Sequence, residues 1–197
     1  KIALIGCQSQ IHKEKLLTLP NVQWVIGNNN KMQLTTLLES HSQNEKHLIV
    51  EKIKREPFTI PESSVDRSHT RANIKIQDGC DFYCSFCVIP FARGPARSRV
   101  FEDIHREVID LVAAGHKEVV ITGINVGTYE HEGREIVDVI ESLSQIKGLA
   151  RIRISSIEPT TIPEVLFSMM NDDAHPLCKY LHIPIQSGSE FILSEMA

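Results

Sequence analysis

The sequence has 197 residues, of which 42% are hydrophobic and 23% are charged, so it can bury a substantial core and is not a disordered tail. The 25 acidic residues outnumber the 21 lysines and arginines, which excludes binding of nucleic acid by bulk positive charge and requires any polyanion site to be local. The sequence contains no apolar run of about 18 residues and no signal peptide. These features predict a soluble, cytoplasmic protein without a membrane partner.

The N-terminal part of the sequence predicts a small α/β unit. Strands are indicated at residues 2–5 and 23–26, and a helix at residues 31–40, where apolar side chains recur at helical spacing. Residues 41–70 are mostly polar and are interrupted by prolines, so a linker is expected at about residues 52–68.

From residue 72 onward the pattern alternates between strand and helix. Strands are predicted at residues 72–77, 119–121, 151–155 and 181–186, and helices at residues 102–114, 134–147, 163–170 and from residue 189. Four successive βα units imply parallel strands with right-handed crossovers, hence a barrel or an open wound sheet. Because the first strand and the last helix are both cut short, we expect two domains, residues 1–55 and 66–197, of a longer protein.

Three of the five cysteines lie in the loop that follows the strand at residues 72–77. Cys80, Cys84 and Cys87 have a C-x3-C-x2-C spacing. Three thiolates holding a four-iron cluster would leave one iron open for a substrate or cofactor atom, which predicts catalysis. The alternatives are a zinc site, completed by His69 or His105, and three buried free thiols.

The aromatic residues between these cysteines are expected to shield a bound cluster from water. They are Phe82, Tyr83 and Phe86. Exclusion of water strengthens the electrostatic influence of nearby groups and tunes the reduction potential of a cluster.

The segment around the cysteines, IKIQDGCDFYCSFCVIPFARGPARSR, resembles the signature of the radical S-adenosylmethionine (SAM) superfamily, and specifically its methylthiotransferase branch. The segments ARGPARSR and TGIN resemble the subgroup that modifies N6-threonylcarbamoyladenosine in tRNA. The resemblance extends over the whole sequence. It implies an α/β fold in which a partial radical SAM (βα) barrel follows part of a smaller methylthiotransferase N-terminal domain.

The resemblance also implies the chemistry. Cys80, Cys84 and Cys87 would hold a [4Fe–4S] cluster whose open iron binds SAM, and one-electron cleavage of the sulfonium would yield a 5′-deoxyadenosyl radical. This radical would abstract hydrogen from C2 of an adenine next to the anticodon, where a methylthio group is then inserted. The implied partners are the anticodon stem-loop of tRNA and an electron donor such as flavodoxin or ferredoxin.

Cys7, in the segment IGCQSQ, resembles the last of three ligands of an auxiliary [4Fe–4S] cluster in methylthiotransferases. The other two ligands would lie upstream of Lys1. On sequence alone, a single cysteine at the end of a strand is more often an inert small hydrophobic residue.

Polar residues that follow the predicted barrel strands are the candidates for contact with SAM. Gly123 and Asn125 follow the second strand, Ser155 and Glu158 the third, and Gln186 the fourth. Barrels of parallel strands keep their active sites at this end. Gly123 and Asn125 could instead shape an ordinary turn, and Ser155 and Glu158 could instead cap a helix. No separate catalytic side chain is assigned.

The three arginines within residues 93–99 are predicted to contact the tRNA backbone, because guanidinium groups match phosphate oxygens; a solvated surface is the alternative. Cys178 is expected to be a buried structural thiol.

Two other functions of the protein remain open. One is methylthiotransfer to isopentenyl-adenosine in tRNA or to a ribosomal protein, and the other is a zinc-stabilised nucleic-acid-binding module without catalysis.

Overall fold

The structure, a computed structural model, describes residues 1–42, 44–60 and 69–196. These residues form two units. The N-terminal unit comprises Lys1–Arg55 and Gly79–Pro95, and the C-terminal unit comprises the described residues of Glu56–Asp78 and Ala96–Ala197. The segment with the three clustered cysteines therefore groups with the first 55 residues. Of the predicted linker, residues 61–68 lie outside the described part.

The N-terminal unit contains a three-stranded parallel sheet in the order β1, β2, β3. Its strands are β1 (Ile2–Ile5), β2 (Val22–Ile26) and β3 (His47–Ile49). Its helices are α1 (Cys7–Ile11), α2 (Lys13–Leu17), α3 (Leu34–Ser40) and α4 (Ile89–Arg93). The central strand β2 is the most buried, with Val25 and Ile26 fully inaccessible. The two predicted strands are confirmed, and the predicted helix forms as a 3-10 turn followed by α3.

The C-terminal unit is built on a second parallel sheet in the order β10, β7, β4. These strands are β4 (Arg71–Lys75), β7 (Glu118–Thr122) and β10 (Arg151–Ile154). Two short antiparallel pairs accompany them, β5 (Gln77–Asp78) with β6 (Arg97–Ser98), and β8 (Glu130–His131) with β9 (Arg134–Glu135). The helices are α5 (Phe101–Ala113), α6 (Ile136–Ser144), α7 (Val165–Asn171) and α8 (Glu190–Met196).

The core of the C-terminal unit lies between its parallel sheet and its helices. Ile74, Ile121 and Ile152 are fully buried on the sheet, and α5 contributes Ile104 and Val108, four residues apart on one helical face. Because the three strands are parallel, their carboxyl ends meet at one edge of the sheet. We call the turns that follow β4, β7 and β10 the carboxyl edge.

The fourth predicted strand, at residues 181–186, does not form. A single β-bridge joins His182 to Ser156, while Ile183 and Ile185 are exposed. Pro184 lacks a backbone N–H group and so cannot donate to a strand ladder. Among the described helices, none is long and apolar enough to cross a membrane.

Candidate functional site

The three clustered cysteines lie in one segment of the N-terminal unit, Gly79–Pro95, which we call the cysteine loop. All three are partly buried free thiols. The backbone N–H of Cys80 donates to the carbonyl of Gly94 at 3.2 Å, which joins the first cysteine to the end of the loop. The N–H of Cys87 donates to the carbonyl of Cys84 at 2.9 Å and forms a tight turn between the other two. Local backbone bonds therefore hold the thiols on one short segment.

The surroundings of Cys80 shift the pKa of its thiol. Burial raises the pKa of the Cys80 thiol, a backbone hydrogen bond from Phe82 opposes this, and the charges of Cys87 and Cys84 raise it further. Among the described residues, no three His, Cys, Asp or Glu side chains gather around a point where one metal ion could bind. In a four-iron cluster each thiolate binds a different iron. Three neighbouring, partly buried thiols on one loop fit that group in donor chemistry.

The expected aromatic shield around the cysteines is incomplete. Phe82, Tyr83 and Phe86 each expose about half of their surface. The ring of Tyr83 packs edge-on against Phe91 at a centroid distance of 6.1 Å. About half of each of these three residues is therefore covered in the described N-terminal unit, and shielding of a bound cluster by these rings stays a prediction.

Cys7 begins α1 directly after β1 and is also partly buried. The side-chain amide of Asn28 lies with Nδ2 3.5 Å from Cys7 Sγ and 2.6 Å from the carbonyl oxygen of Ala92 in α4. The amide therefore donates to the sulfur of Cys7 and to α4, the helix that follows Cys87 in sequence. A partly buried thiol with an amide donor fits a metal-ligating thiolate.

The carboxyl edge of the C-terminal unit is organised by Gln77, which sequence reasoning did not single out. Gln77 is fully buried, and its Oε1 accepts hydrogen bonds from the backbone N–H groups of Ile124 at 2.8 Å and Asn125 at 3.1 Å. A Cβ added to Gly123 would lie 2.9 Å from this oxygen. The TGIN turn after β7 is therefore shaped to fit the amide of Gln77. A polar residue ending a buried strand was the available signal.

Asn125 connects two turns of the carboxyl edge. Its Oδ1 accepts hydrogen bonds from Gly127 N and Glu158 N, both at 3.2 Å, and from Thr161 Oγ1 at 2.9 Å. Its Nδ2 is buried without a hydrogen-bond partner among the described residues. The described contacts of Asn125 are thus structural, and they fix the backbone position of Glu158.

The other edge residues differ in how they are held. Ser155 follows β10, and its buried Oγ has no hydrogen-bond partner in the described part of the chain. Burial raises the pKa of the Glu158 carboxyl. Gln186 is exposed and has a left-handed backbone with φ of 60°, and it follows no strand because residues 181–186 do not form one. Hydrogen bonds therefore link Gln77, Asn125 and Glu158, and among the described residues Gln186 shares no hydrogen bond with them.

The arginines after the cysteine loop are mostly engaged inside the C-terminal unit. Arg97 Nη2 lies 3.2 Å from Asp78 Oδ2, and its guanidinium stacks over Phe58 at 5.3 Å from the ring centroid. Arg99 is fully buried and pairs with Asp103 at 2.6 Å and with Glu107. The prediction of a tRNA contact is therefore wrong for Arg99, because buried carboxylates already bind its donors. The predicted buried thiol Cys178 is only partly buried.

Comparison with known proteins identifies the family. The radical SAM superfamily pattern matches residues 74–197, which is more than half of the chain. The chain belongs to the radical SAM superfamily. Enzymes of this superfamily use a [4Fe–4S] cluster and SAM.

The chain is similar over its whole length to methylthiotransferases. It is 43% identical to threonylcarbamoyladenosine tRNA methylthiotransferase MtaB of Chlamydia pneumoniae, over 99% of this chain and 43% of that protein. It is 34% identical to tRNA-2-methylthio-N(6)-dimethylallyladenosine synthase of Rickettsia rickettsii (strain Sheila Smith), over 99% of this chain and 45% of that protein. The chain thus spans less than half the length of these curated relatives.

A solved structure supports the fold. The radical SAM methyltransferase TsrM from Kitasatospora setae matches with a TM-score of 0.51 and 16% identity, over 72% of this chain and 27% of that one. At this identity the likeness concerns the fold alone. The predicted radical SAM α/β fold class is confirmed.

Proposed function

We propose that the protein is a radical SAM methylthiotransferase that converts N6-threonylcarbamoyladenosine, next to the anticodon of tRNA, to its 2-methylthio derivative. The observation that carries this proposal is the loop with three neighbouring, partly buried thiols in a chain similar to methylthiotransferases along its whole length. The choice of the threonylcarbamoyl substrate follows the relative at 43% identity, whereas a second MtaB relative and the dimethylallyladenosine synthase are each 34% identical to the chain.

In this proposal Cys80, Cys84 and Cys87 are the ligands of a [4Fe–4S] cluster. When bound, the cluster and SAM supply a 5′-deoxyadenosyl radical upon one-electron reduction, and a flavodoxin or ferredoxin is the proposed reductant. The loop orients its thiols through the backbone bonds to Gly94 and within the Cys84–Cys87 turn. Cys7 is the proposed ligand of an auxiliary [4Fe–4S] cluster, together with thiolates from another part of the full-length protein.

The residues of the carboxyl edge have positioning and binding roles in the proposal. Gln77 and Asn125 hold the turns that contain Gly123 and Glu158 in place. The hydroxyl of Ser155 and the carboxyl of Glu158 are proposed to bind polar groups of SAM, since their contacts within the described chain leave them available. Gln186 is proposed as a further contact on an exposed loop.

The cysteine assignment is tested in the full-length protein with Cys84→Ala, and with Cys178→Ala as the matched control. Cys178 is also a partly buried free thiol but lies outside the loop. After anaerobic reconstitution, we expect C84A to lose the iron of one cluster and all reductive cleavage of SAM, while its circular dichroism stays unchanged. C178A should retain both. Stoichiometric zinc in place of iron, or unfolding of C84A alone, would instead support the zinc-stabilised binding module.

The substrate is tested by nucleoside analysis of tRNA from a strain that lacks the gene. We expect 2-methylthio-N6-threonylcarbamoyladenosine to disappear and its precursor, N6-threonylcarbamoyladenosine, to accumulate, with restoration by the intact gene but not by the C84A gene. Loss of the methylthio derivative of isopentenyl-adenosine would assign the alternative tRNA substrate. Unchanged tRNA and a missing methylthio group on a ribosomal protein would contradict tRNA as the substrate.

A further inference from the structure

One side-chain amide joins Cys7 to α4, the helix that follows Cys87 in sequence. Asn28, just after β2, is 6% exposed, and its Nδ2 lies 3.5 Å from Cys7 Sγ and 2.6 Å from Ala92 O. An amide nitrogen carries two hydrogens. One hydrogen serves the carbonyl of Ala92, and the second remains for the sulfur. Within the N-terminal unit, Asn28 thus contacts both cysteine-bearing segments.

The position of Asn28 is itself determined by a second amide. The backbone N–H of Asn28 donates to Gln10 Oε1 at 3.0 Å, and Gln10 Nε2 donates to the carbonyl of Glu51 at 2.9 Å. A Cβ on Gly27 would collide with Gln10 Oε1, so glycine at this position leaves room for the Gln10 side chain. The backbone of Asn28 is therefore held by Gln10 and its side chain by Ala92, and rotation of the side chain away from Cys7 would break the bond to Ala92.

A buried N–H donor has a larger effect on a thiolate than on a thiol. Hydrogen bonds to a charged acceptor are roughly twice as strong as those between neutral groups. Donors that point at the sulfurs of an iron–sulfur cluster stabilise its more negative, reduced state and so raise its reduction potential. At 6% exposure Asn28 contributes this dipole in a place where water screens it little.

We propose that Asn28 is a positioning residue that holds the Cys7 thiolate, raises the reduction potential of the auxiliary cluster, and ties that cluster to α4. This inference rests on the proposed function, because it takes Cys7 to be a ligand of the auxiliary cluster. The bond from Nδ2 to Sγ orients the thiolate, and the bond to Ala92 O connects its position to the helix after Cys87.

The test uses the full-length protein in which Cys80, Cys84 and Cys87 are replaced by Ala, so that one cluster remains to be observed. In this background Asn28→Leu removes both donors at similar volume, and Asn28→Ala removes them with a smaller side chain. Asn29→Ala is the matched control, since Asn29 is exposed and its described bond is to Glu51 Oε2 at 3.2 Å. The midpoint potential is measured by redox titration monitored by electron paramagnetic resonance.

We expect N28L and N28A to shift the midpoint potential in the negative direction by similar amounts, and N29A to leave it unchanged. In protein with intact Asn28 and 15N-labelled asparagine, the reduced cluster should show a 15N hyperfine coupling that persists in N29A. This second measurement needs no variant of Asn28, so it is informative even if both variants fail to fold.

Two results would overturn the inference in different ways. An unchanged potential in N28L and N28A, or no 15N coupling, shows that Asn28 supports the fold alone, and the auxiliary cluster itself is unaffected by that result. Absence of any cluster in the triple cysteine background removes both the inference and the proposed role of Cys7. The three loop cysteines would be untouched by that outcome, since C84A tests them separately.

Discussion

At the scale of single residues, buried amide side chains form the hydrogen bonds that hold the turns around the candidate sites in place. The side-chain oxygen of Gln77 accepts two hydrogen bonds from the turn after β7, and that of Asn125 accepts three from two turns. Asn28 uses one nitrogen to contact two segments. A buried N–H group without an acceptor costs about 1–3 kcal/mol. These amides therefore stabilise turns that have no regular ladder of their own.

Gln77→Met tests this role, because methionine has similar length but accepts only weak hydrogen bonds. The N–H groups of Ile124 and Asn125 would lose their acceptor, so we expect a loss of about 2–4 kcal/mol in the free energy of unfolding. Urea unfolding followed by circular dichroism measures it. The control is Gln145→Met on the exposed end of α6, which should change stability by less than about 0.5 kcal/mol. Equal effects of the two variants would argue against the role of Gln77.

A buried ion-pair network surrounds Arg99 at the start of α5. Asp103 accepts hydrogen bonds from Arg99 Nε at 2.6 Å and from the backbone N–H of Ile60 at 2.9 Å, and it also pairs with Arg106. Burial alone would raise the pKa of Asp103, but these donors and charges more than offset it, so the pKa is lowered from 3.8. A carboxyl with a lowered pKa in the folded state stabilises the protein above the unfolded-state value.

Asp103→Asn should lower the free energy of unfolding at pH 7 by about 3 kcal/mol, because removing one partner of a buried pair costs about 3–5 kcal/mol and Glu107 still pairs with Arg99. The stabilisation by the carboxylate is complete above pH 3.8 and is lost as the pH falls through the lower folded-state pKa. The difference between wild type and D103N should therefore shrink in acid. Urea titrations at several pH values measure this.

Asp110→Asn on the same helix is the control for this prediction. Asp110 is exposed, so its replacement should change the free energy of unfolding at pH 7 by less than about 0.5 kcal/mol. A difference between wild type and D103N that grows in acid would contradict the sign derived for Asp103.

At the scale of elements, the cysteine loop depends on a close approach between its two ends. Gly79 has φ of 75°, and a Cβ there would lie 2.6 Å from the carbonyl oxygen of Gly94 and closer still to that of Pro95. The loop can close only with glycine at this position, directly before Cys80. The three thiols can therefore lie near one another only because the backbone brings the two ends of the loop together.

Gly79→Ala should therefore lower cluster loading of the full-length protein, since the added methyl group collides with backbone that cannot move aside cheaply. Gly133→Ala is a closely matched control: its φ is 78°, and a Cβ there meets nothing within 4 Å. G133A should cost only the backbone strain of about 1–2 kcal/mol and keep its iron. Iron per protein after anaerobic reconstitution and thermal unfolding measure the two effects. Equal iron content in both variants would contradict the steric argument.

At the scale of the whole molecule, each of the two units is formed from two separate stretches of the sequence. The cysteine loop belongs to the same unit as Lys1–Arg55, although it lies between β5 and β6 in sequence. Contacts across long sequence separations, such as Asn28 with Ala92 and the close packing of Ile53 against Gly94, account for this grouping. Groups of elements that share contacts open together. The stability of the loop should therefore follow that of the first 55 residues.

A pair of matched variants tests this division. Val25→Ala in β2 and Val119→Ala in β7 each truncate a fully buried valine in the centre of a parallel sheet, at a cost of about 2 kcal/mol. In native-state hydrogen exchange, V25A should speed exchange of residues 79–95 together with β1 to β3. V119A should speed exchange in β4, β7 and β10 instead. Acceleration of the loop by V119A and not by V25A would contradict the grouping.

The sequence by itself determined the family, the alternation of strands and helices, and the cysteine loop, because these depend on local spacing and on periodicity. The radical SAM fold class and most strands and helices appear as predicted. Residues 181–186 have an apolar pattern that predicts a strand, but the structure shows a single β-bridge there. Pro184 has no backbone N–H group to donate to a neighbouring strand.

Only the tertiary structure decided which side chains are engaged and which segments group together. Arg99 and Gln77 are polar residues whose partners, such as Glu107 and Ile124, lie elsewhere along the chain, so neither burial nor partner can be read from spacing. The contact from Asn28 to Cys7 and Ala92 spans 21 and 64 residues. Such contacts arise from packing between distant segments, which local propensity does not encode.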